Sequence, residues 1–331
     1  RWRRNLQKRI YIFKKMIYRD YKNIKFYVTF LILNVVGGTI YCQQENNFNQ
    51  YMFGHQILNP AYSGSKNVSN ITSLSRSQWT GFEGAPISQS ISFNSPIGKR
   101  NLGIGVSAQA DAIGPLTNTE TSLDLSYHLK FSGNQNWLSL GLKLGAQNFL
   151  LDTPSLRYFD RNDPSFNSNS NNEFIPNIGF GLYYYSPKFY FGFSIPKMIE
   201  DELNFVKRHF YFIGGGLISL RDNVQLKPSL LLKKTSGTVL AYDISLLLFL
   251  NNSYWFGPQF KSKASFVPQD QILDGSISFL AGINLNKNIS IGYAYGNAIN
   301  LGINNSSSHE LLLRFDFSPR VLGILRSPRI F

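Results

Sequence analysis

The sequence has little charge and almost no cysteine. Of its 331 residues, 16% are charged and only Cys42 is a cysteine, whereas 15% are aromatic. Disordered chains show the opposite balance, with many charges and few aromatic side chains. One cysteine excludes an intramolecular disulfide, and removal of Cys42 by processing would also exclude thiolate metal sites and cysteine nucleophiles. We therefore expect a folded chain that needs no disulfide.

The positive charge of the chain is concentrated at one end. The formal net charge is +14. Ten of the 33 Lys and Arg, but only one of the 19 Asp and Glu, lie in residues 1–42, so the rest carries 23 basic and 18 acidic side chains, a net charge of +5. Because this main part is only weakly basic, the composition does not indicate a nucleic-acid partner.

Residues 1–42 have the layout of a secretory signal peptide. Basic residues precede the apolar run Phe26–Val36, which is shorter than the roughly twenty residues that span a bilayer. Cleavage after Cys42 would place this small residue directly before the cleaved bond. Lipidation of Cys42 is the alternative, disfavoured by the bulky Tyr41 before it. The basic stretch Arg1–Lys15 precedes the first methionine and suggests an over-extended gene start.

Beyond residue 42 there is no long apolar run, and short segments alternate instead between apolar and small or polar residues. This period of two is typical of strands with one apolar face. The clearest cases are Leu123 to Leu129, Leu138 to Leu144, Leu240 to Leu248, Ile277 to Ile283 and Leu311 to Phe317. Turn residues between such segments predict about fourteen strands, or roughly twenty residues for each strand with its connection.

Two patterns favour a membrane barrel over a soluble β-sandwich or propeller. Nearly every segment has one Leu, Ile or Phe face, opposite a face of Ser, Gly, Lys, Asp and Glu, which suits lipid outside and a polar interior. Aromatic residues cluster at segment ends, as in an interfacial girdle. We predict an all-β outer-membrane antiparallel β-barrel over residues 67–317, after a lead-in segment 43–66 and before a tail 318–331. Leu150–Glu173 and Lys197–Lys207 are expected to be long loops.

No motif for catalysis or cofactor binding stands out. The four histidines, His55, His128, His209 and His309, have no metal-like spacing, and no G-x-S-x-G elbow is present. Gly103-Ile104-Gly105 lies inside a predicted strand, where glycine indicates close packing or a kink rather than a phosphate loop. We therefore predict no enzyme, no cofactor and no metal site.

A succession of motifs resembles one known family. The residues that carry the resemblance are Asn59, Pro60, Ala61, Tyr62, Gly64, Arg76, Trp79, Gly84, Pro86, His309 and Glu310. Together they resemble the PorP/SprF membrane proteins of Bacteroidetes, which are associated with type IX secretion and gliding motility, over essentially the whole chain after residue 42. Ser63 departs from the small apolar residue usual there.

The resemblance implies a location in the outer membrane and a non-enzymatic role in type IX secretion. The expected partners are outer-membrane lipid, type IX secretion components and large secreted adhesins with C-terminal sorting domains, whose export or surface attachment the protein would support. An outer-membrane channel for small or hydrophobic solutes is the alternative.

The motif residues also have physical interpretations. Pro60 and Gly64 predict a turn, which Tyr62 would anchor by burial of its ring. Arg76 in the lumen would need an acidic partner such as Asp124 or Glu310. Trp79 near a strand end suits the membrane interface.

Overall fold

A computed structural model describes the barrel and the segment before it. The described residues are 48–66, 68–98, 101–131, 135–152, 171–200, 206–236, 238–264, 275–299 and 307–317. The predicted signal peptide and C-terminal tail lie outside them, as do most of the expected loop at 150–173 and the centre of the one at 197–207. Within the described residues, no helix is long and apolar enough to cross a membrane.

Fifteen strands follow residue 69 in the described part of the chain. They are β1 Asn70–Gln78, β2 Ile87–Ile97, β3 Leu102–Ile113, β4 Leu116–Lys130, β5 Trp137–Leu151, β6 Asn171–Tyr185, β7 Phe189–Ile195, β8 His209–Gly216, β9 Ile218–Arg221, β10 Val224–Thr235, β11 Leu240–Leu250, β12 Tyr254–Ala264, β13 Gly275–Asn284, β14 Ile289–Ile299 and β15 Ser307–Asp316.

The strands close into a ring. Neighbours in sequence pair antiparallel, and β1 pairs with β15 over Asn70–Gln78, which joins the two ends of the sheet. The short β9 continues the wall position of β8, because both pair with successive parts of β10. Fourteen positions therefore remain around the ring. The prediction of an outer-membrane antiparallel barrel of about fourteen strands is confirmed.

The wall is apolar outside and polar inside. On β4, Leu125 is 47% exposed, whereas its neighbour Asp124 is fully buried. On β2, Ile91 and Phe93 are exposed and alternate with the buried Ser90, Ser92 and Asn94. Because side chains alternate across a strand, one face of the wall meets lipid and the other faces the lumen. The predicted alternation is confirmed, with the apolar face turned outward.

The two rims of the barrel differ in the length of their connections. One, the short-turn rim, carries turns such as 186–188, 222–223 and 251–253, together with the start of β1 and the end of β15. The other, the long-connection rim, carries 79–86, 152–170, 196–208, 265–274 and 300–306, besides the short 114–115 and 236–239. In bacterial outer-membrane barrels the short turns face the periplasm and the long loops face outward.

Candidate functional site

The lumen of the barrel holds residues 48–66, here called the plug. Every residue of the plug except Ile57 is buried, although so short a segment cannot bury itself. Hydrogen bonds join it to Glu310 on β15, Asp124 on β4 and Ser194 on β7. These three strands lie far apart around a closed wall, so one short segment can contact all of them only from inside the barrel. The plug therefore lies within the barrel.

Short helical turns fold the plug. They are a 3-10 turn at Tyr51–Phe53, the α-helix α1 at His55–Leu58 and a second 3-10 turn at Pro60–Tyr62. Asn59 begins the last turn, since its Oδ1 accepts a hydrogen bond from the main-chain N–H of Ala61 at 3.0 Å. Pro60 is suited to the first position, where its missing N–H loses no bond. Gly64 has a φ of 70°, which favours glycine.

Inward-facing glycines on three strands make room for the plug. The glycine strip consists of Gly103 and Gly105 on β3, Gly141 on β5 and Gly181 on β6. A Cβ atom at Gly141 would lie 2.2 Å from the nitrogen of Ala61, and one at Gly103 would lie 2.2 Å from the oxygen of Ser63. These distances are far below van der Waals contact, so only glycine fits. The motif from Asn59 to Gly64 and the glycine strip are therefore two halves of one contact.

Polar groups of the wall hold the main chain of the plug. The carboxylate of Glu310 accepts hydrogen bonds from the N–H groups of Asn49 at 2.6 Å and Gln50 at 2.8 Å. Further along, the hydroxyl of Ser126 donates to the oxygen of Ser63 at 2.6 Å. The plug is thus bound at both its beginning and its end.

Aromatic rings surround His55 at the centre of the plug. Its imidazole lies 5.2 Å from the ring of Tyr62 and 4.8 Å from that of Tyr190, measured between centroids. Burial lowers the pKa of His55 well below its usual value, and the positive charges of Lys227 and Lys66 lower it further. His55 is therefore neutral at physiological pH.

The plug ends at an ion pair near the short-turn rim. The Nζ of Lys66 lies 3.5 Å from a carboxylate oxygen of Asp316, which also pairs with Arg314 at 3.2 Å. Burial and the nearby Arg314 lower the pKa of Lys66 to about 8, although Asp316 opposes this shift. The pair fixes the plug where the chain turns into β1.

The structure separates the predicted motif residues into distinct places. Asn59, Pro60, Ala61, Tyr62 and Gly64 lie together in the plug. Glu310 lies on the inner wall, and Arg76 stands directly opposite it in the β1–β15 register. The other acidic residue considered for Arg76, Asp124, instead pairs with Lys143 at 3.2 Å and accepts a hydrogen bond from Gln56 at 3.1 Å.

The remaining motif residues lie toward the long-connection rim. Trp79, Gly84 and Pro86 belong to the connection 79–86, where Trp79 has a φ of 49° and is 39% exposed. The oxygen of Gly84 accepts a hydrogen bond from the N–H of Gly114 at 2.9 Å, which ties this connection to the β3–β4 turn. His309 is on β15 between the rings of Tyr293 and Tyr295.

The connection 79–86 presents a shaped surface at this rim. Phe82 is 48% exposed beside Trp79, next to a cleft of about 370 Å³ that includes Gly81, Ala85 and Gly114 in its lining. The N–H of Thr80 donates to the oxygen of Ser307 at 3.2 Å and joins the connection to β15. Its aromatic side chains are therefore displayed on a fixed backbone.

Sequence reasoning missed the plug and the groups that bind it. Residues 43–66 were expected to lead into the barrel, without any indication that they return into its lumen. The one available signal was the pair Gly103 and Gly105 on the inward face of β3, since inward glycines leave space that something must fill. Among the residues described, no group of three or more His, Cys, Asp or Glu side chains could hold a metal ion.

A known family matches most of the sequence. The sequence profile described as "Type IX secretion system membrane protein PorP/SprF" matches residues 40–315. The chain belongs to the PorP/SprF family. It is therefore an outer-membrane β-barrel protein of type IX secretion, as the motifs led us to expect.

Solved structures that resemble this PorP/SprF protein are outer-membrane proteins of low sequence identity. Omp33 of Acinetobacter baumannii is 10% identical, with a TM-score of 0.45 over 77% of this chain and 100% of its own. A Pseudomonas aeruginosa FadL homologue is 11% identical, with a TM-score of 0.46 over 83% and 95%. The CymD monoaromatic hydrocarbon channel is 11% identical, with a TM-score of 0.48 over 85% and 96%. No curated protein sequence matches this chain significantly.

Proposed function

We propose that this PorP/SprF protein is a non-enzymatic accessory of type IX secretion that recognises partner proteins through its long-connection rim. The partners are large secreted adhesins with C-terminal sorting domains, whose export or surface attachment it supports, together with components of the secretion system. The observation that carries the proposal is the occupied lumen. A barrel whose interior is filled by its own chain offers its rims, rather than its interior, to other macromolecules.

The plug also weighs against the alternative of a transport channel for small or hydrophobic solutes. A solute path would have to pass a segment that is hydrogen-bonded to the wall through Glu310, Ser126 and Ser194. Open barrels keep a water-filled lumen instead.

The connection 79–86 is the described part of the rim best suited to recognition. Exposed aromatic side chains supply large contact areas and are enriched at protein interfaces. Here Trp79 and Phe82 stand beside a cleft, on a backbone that hydrogen bonds fix to neighbouring strands. Loops on a rigid scaffold are where binding residues concentrate. The longer connections 152–170 and 196–208 begin and end at strands of the same rim.

The test is a matched pair of surface substitutions in the native host. Phe82→Asp changes the long-connection rim, and Leu285→Asp introduces the same charge at an exposed apolar residue of the short-turn rim. We expect Phe82→Asp to reduce the adhesin displayed on the cell surface by about tenfold or more, as loss of an aromatic anchor at an interface does. Leu285→Asp should leave display unchanged. The amount of barrel in the outer membrane is measured in both strains.

Equal display in the two variants, at equal amounts of barrel, would argue against recognition through the connection 79–86. Shortening the connection 152–170 then tests the rest of the rim. Undiminished display in that variant as well would refute the proposal.

A further inference from the structure

We propose that the lumen is a binding site for a peptide of the sequence found at residues 48–66, which the chain fills with its own plug, and that this occupancy closes the barrel to ions and small solutes. The proposal goes beyond a role in recognition at the rim. It concerns the interior, and it assigns a function to the motif from Asn59 to Gly64.

The first support is that the wall supplies the contacts that the plug lacks in itself. The plug contains only one turn of α-helix and two 3-10 turns, a length that is not stable alone in water. Wall residues complete its bonding. Asn59 donates through Nδ2 to the oxygen of Leu182 at 2.8 Å, and Ser194 donates to the oxygen of Leu58 at 2.6 Å. The segment is thus ordered as a ligand is ordered by its receptor.

The second support is the complementary shape of the wall. The Cβ that Gly181 lacks would lie 2.1 Å from Oδ1 of Asn59, and the Cβ that Gly105 lacks would lie 2.4 Å from Nε2 of Gln56. Glycine weakens a strand, and its use at such positions marks the close approach of another backbone or of a ligand. The glycine strip therefore accepts only a segment whose shape fits the space left by the missing Cβ atoms.

The third support is chemical specificity along the whole plug. Its beginning is bound by the carboxyl group of Glu310, its centre by the wall rings of Tyr183 and Tyr190 beside His55, and its end by the ion pair of Lys66 with Asp316. An arbitrary polypeptide would not make these three kinds of contact in this order. The site is therefore built for one sequence.

The fourth support is the order of the chain. The plug precedes β1, so the paired strands from Asn70 onward form a complete ring without it. Removing residues 49–65 deletes no strand and breaks no pairing in the wall. The same peptide could then reach the site as a separate molecule.

The test is conductance in planar lipid bilayers. The full chain should show no stable channel, and a variant lacking residues 49–65 should show one. A synthetic peptide of residues 48–66 added to the short-turn side should block the open variant. The same peptide with Asn59→Ala loses the three hydrogen bonds of the Asn59 side chain and should bind roughly tenfold to a hundredfold more weakly. A scrambled peptide is the control and should not block.

Two results would overturn the proposal. One is a deletion variant that is folded, by its heat-modifiable migration in gels, yet does not conduct. The other is an open variant that the peptide and its scrambled control affect equally.

If the deletion variant does not fold, labelling of the full chain still decides whether the lumen is occupied. In a Cys42→Ser background, Ala61→Cys should resist a maleimide until the protein is unfolded. Lys287→Cys, in an exposed turn, should react at once. Equal labelling of the two cysteines in the folded protein would show that the plug does not occupy the lumen, and would refute the proposal.

Discussion

Adding one methyl group at Gly141 should loosen the plug while leaving the barrel intact. The Cβ of Gly141→Ala would lie 2.2 Å from the nitrogen of Ala61 and 2.5 Å from the main-chain carbon of Pro60. Both neighbours are backbone atoms, so no side chain can rotate away and the plug itself must shift. Overpacking of this kind costs about 1–3 kcal/mol. That corresponds to roughly 5- to 150-fold in the equilibrium between docked and undocked plug.

Hydrogen exchange measured by mass spectrometry reports this equilibrium directly. Main-chain N–H groups of the plug exchange when it undocks, so exchange in Gly141→Ala should be faster by the same factor. Gly145→Ala is the matched control. It adds a methyl group on the same face of the same strand, where the nearest atoms belong to Thr121 and Ser122 rather than to the plug. Exchange in the strands should be unchanged in both variants.

Unaltered exchange of the plug in Gly141→Ala would show that the glycine strip does not fit the plug closely, and would contradict this prediction. Equal acceleration by Gly145→Ala would also contradict it, since the effect would then arise from the strand itself.

Three further predictions concern single groups. Glu310→Gln should speed exchange at the start of the plug by about tenfold, because an amide keeps only one of the two oxygens that accept the N–H groups of Asn49 and Gln50. Unchanged exchange there would contradict this. The pKa of His55 is lowered in the docked plug, so below pH 6.5 the undocked plug binds more protons than the docked one. Docking should therefore weaken as the pH falls, by up to tenfold per pH unit. Hydrogen exchange of the plug, corrected for its intrinsic rate, should show this slope, and His55→Phe should abolish it. Lys143→Ala should lower the free energy of unfolding in urea by about 3–5 kcal/mol, because it leaves Asp124 buried without its cation. Adding Asp124→Ala should restore part of the lost stability.

The wall of the barrel was predictable because each strand carries its own signal. Leu123, Leu125 and Tyr127 alternate with polar residues, and a period of two fixes both the strand and its two faces. The barrel was predicted from the apolar face of each strand and from the aromatic residues at strand ends. A direct sequence signal is absent for the pairing of β1 with β15, because cross-strand partners such as Arg76 and Glu310 are far apart in the chain.

The plug was not predictable in the same way. Residues 48–66 have no period, since their three helical turns are each too short to show one. Their structure depends on the wall, and the wall residues that bind them are spread from Gly103 to Asp316. The sequence marked Asn59 to Gly64 as a turn with a buried Tyr62, and both features are present. It did not indicate what buries that turn.

If this PorP/SprF protein recognises secreted adhesins at its long-connection rim, the two proteins are in contact in the outer membrane. The most direct measurement is crosslinking of outer membranes from the native host, with a tag on the barrel and mass spectrometry to identify the crosslinked residues. We expect crosslinks between a large adhesin with a C-terminal sorting domain and the connections 79–86, 152–170 or 196–208. A barrel that is abundant in the membrane but is reproducibly recovered without such a partner would contradict recognition of adhesins at this rim.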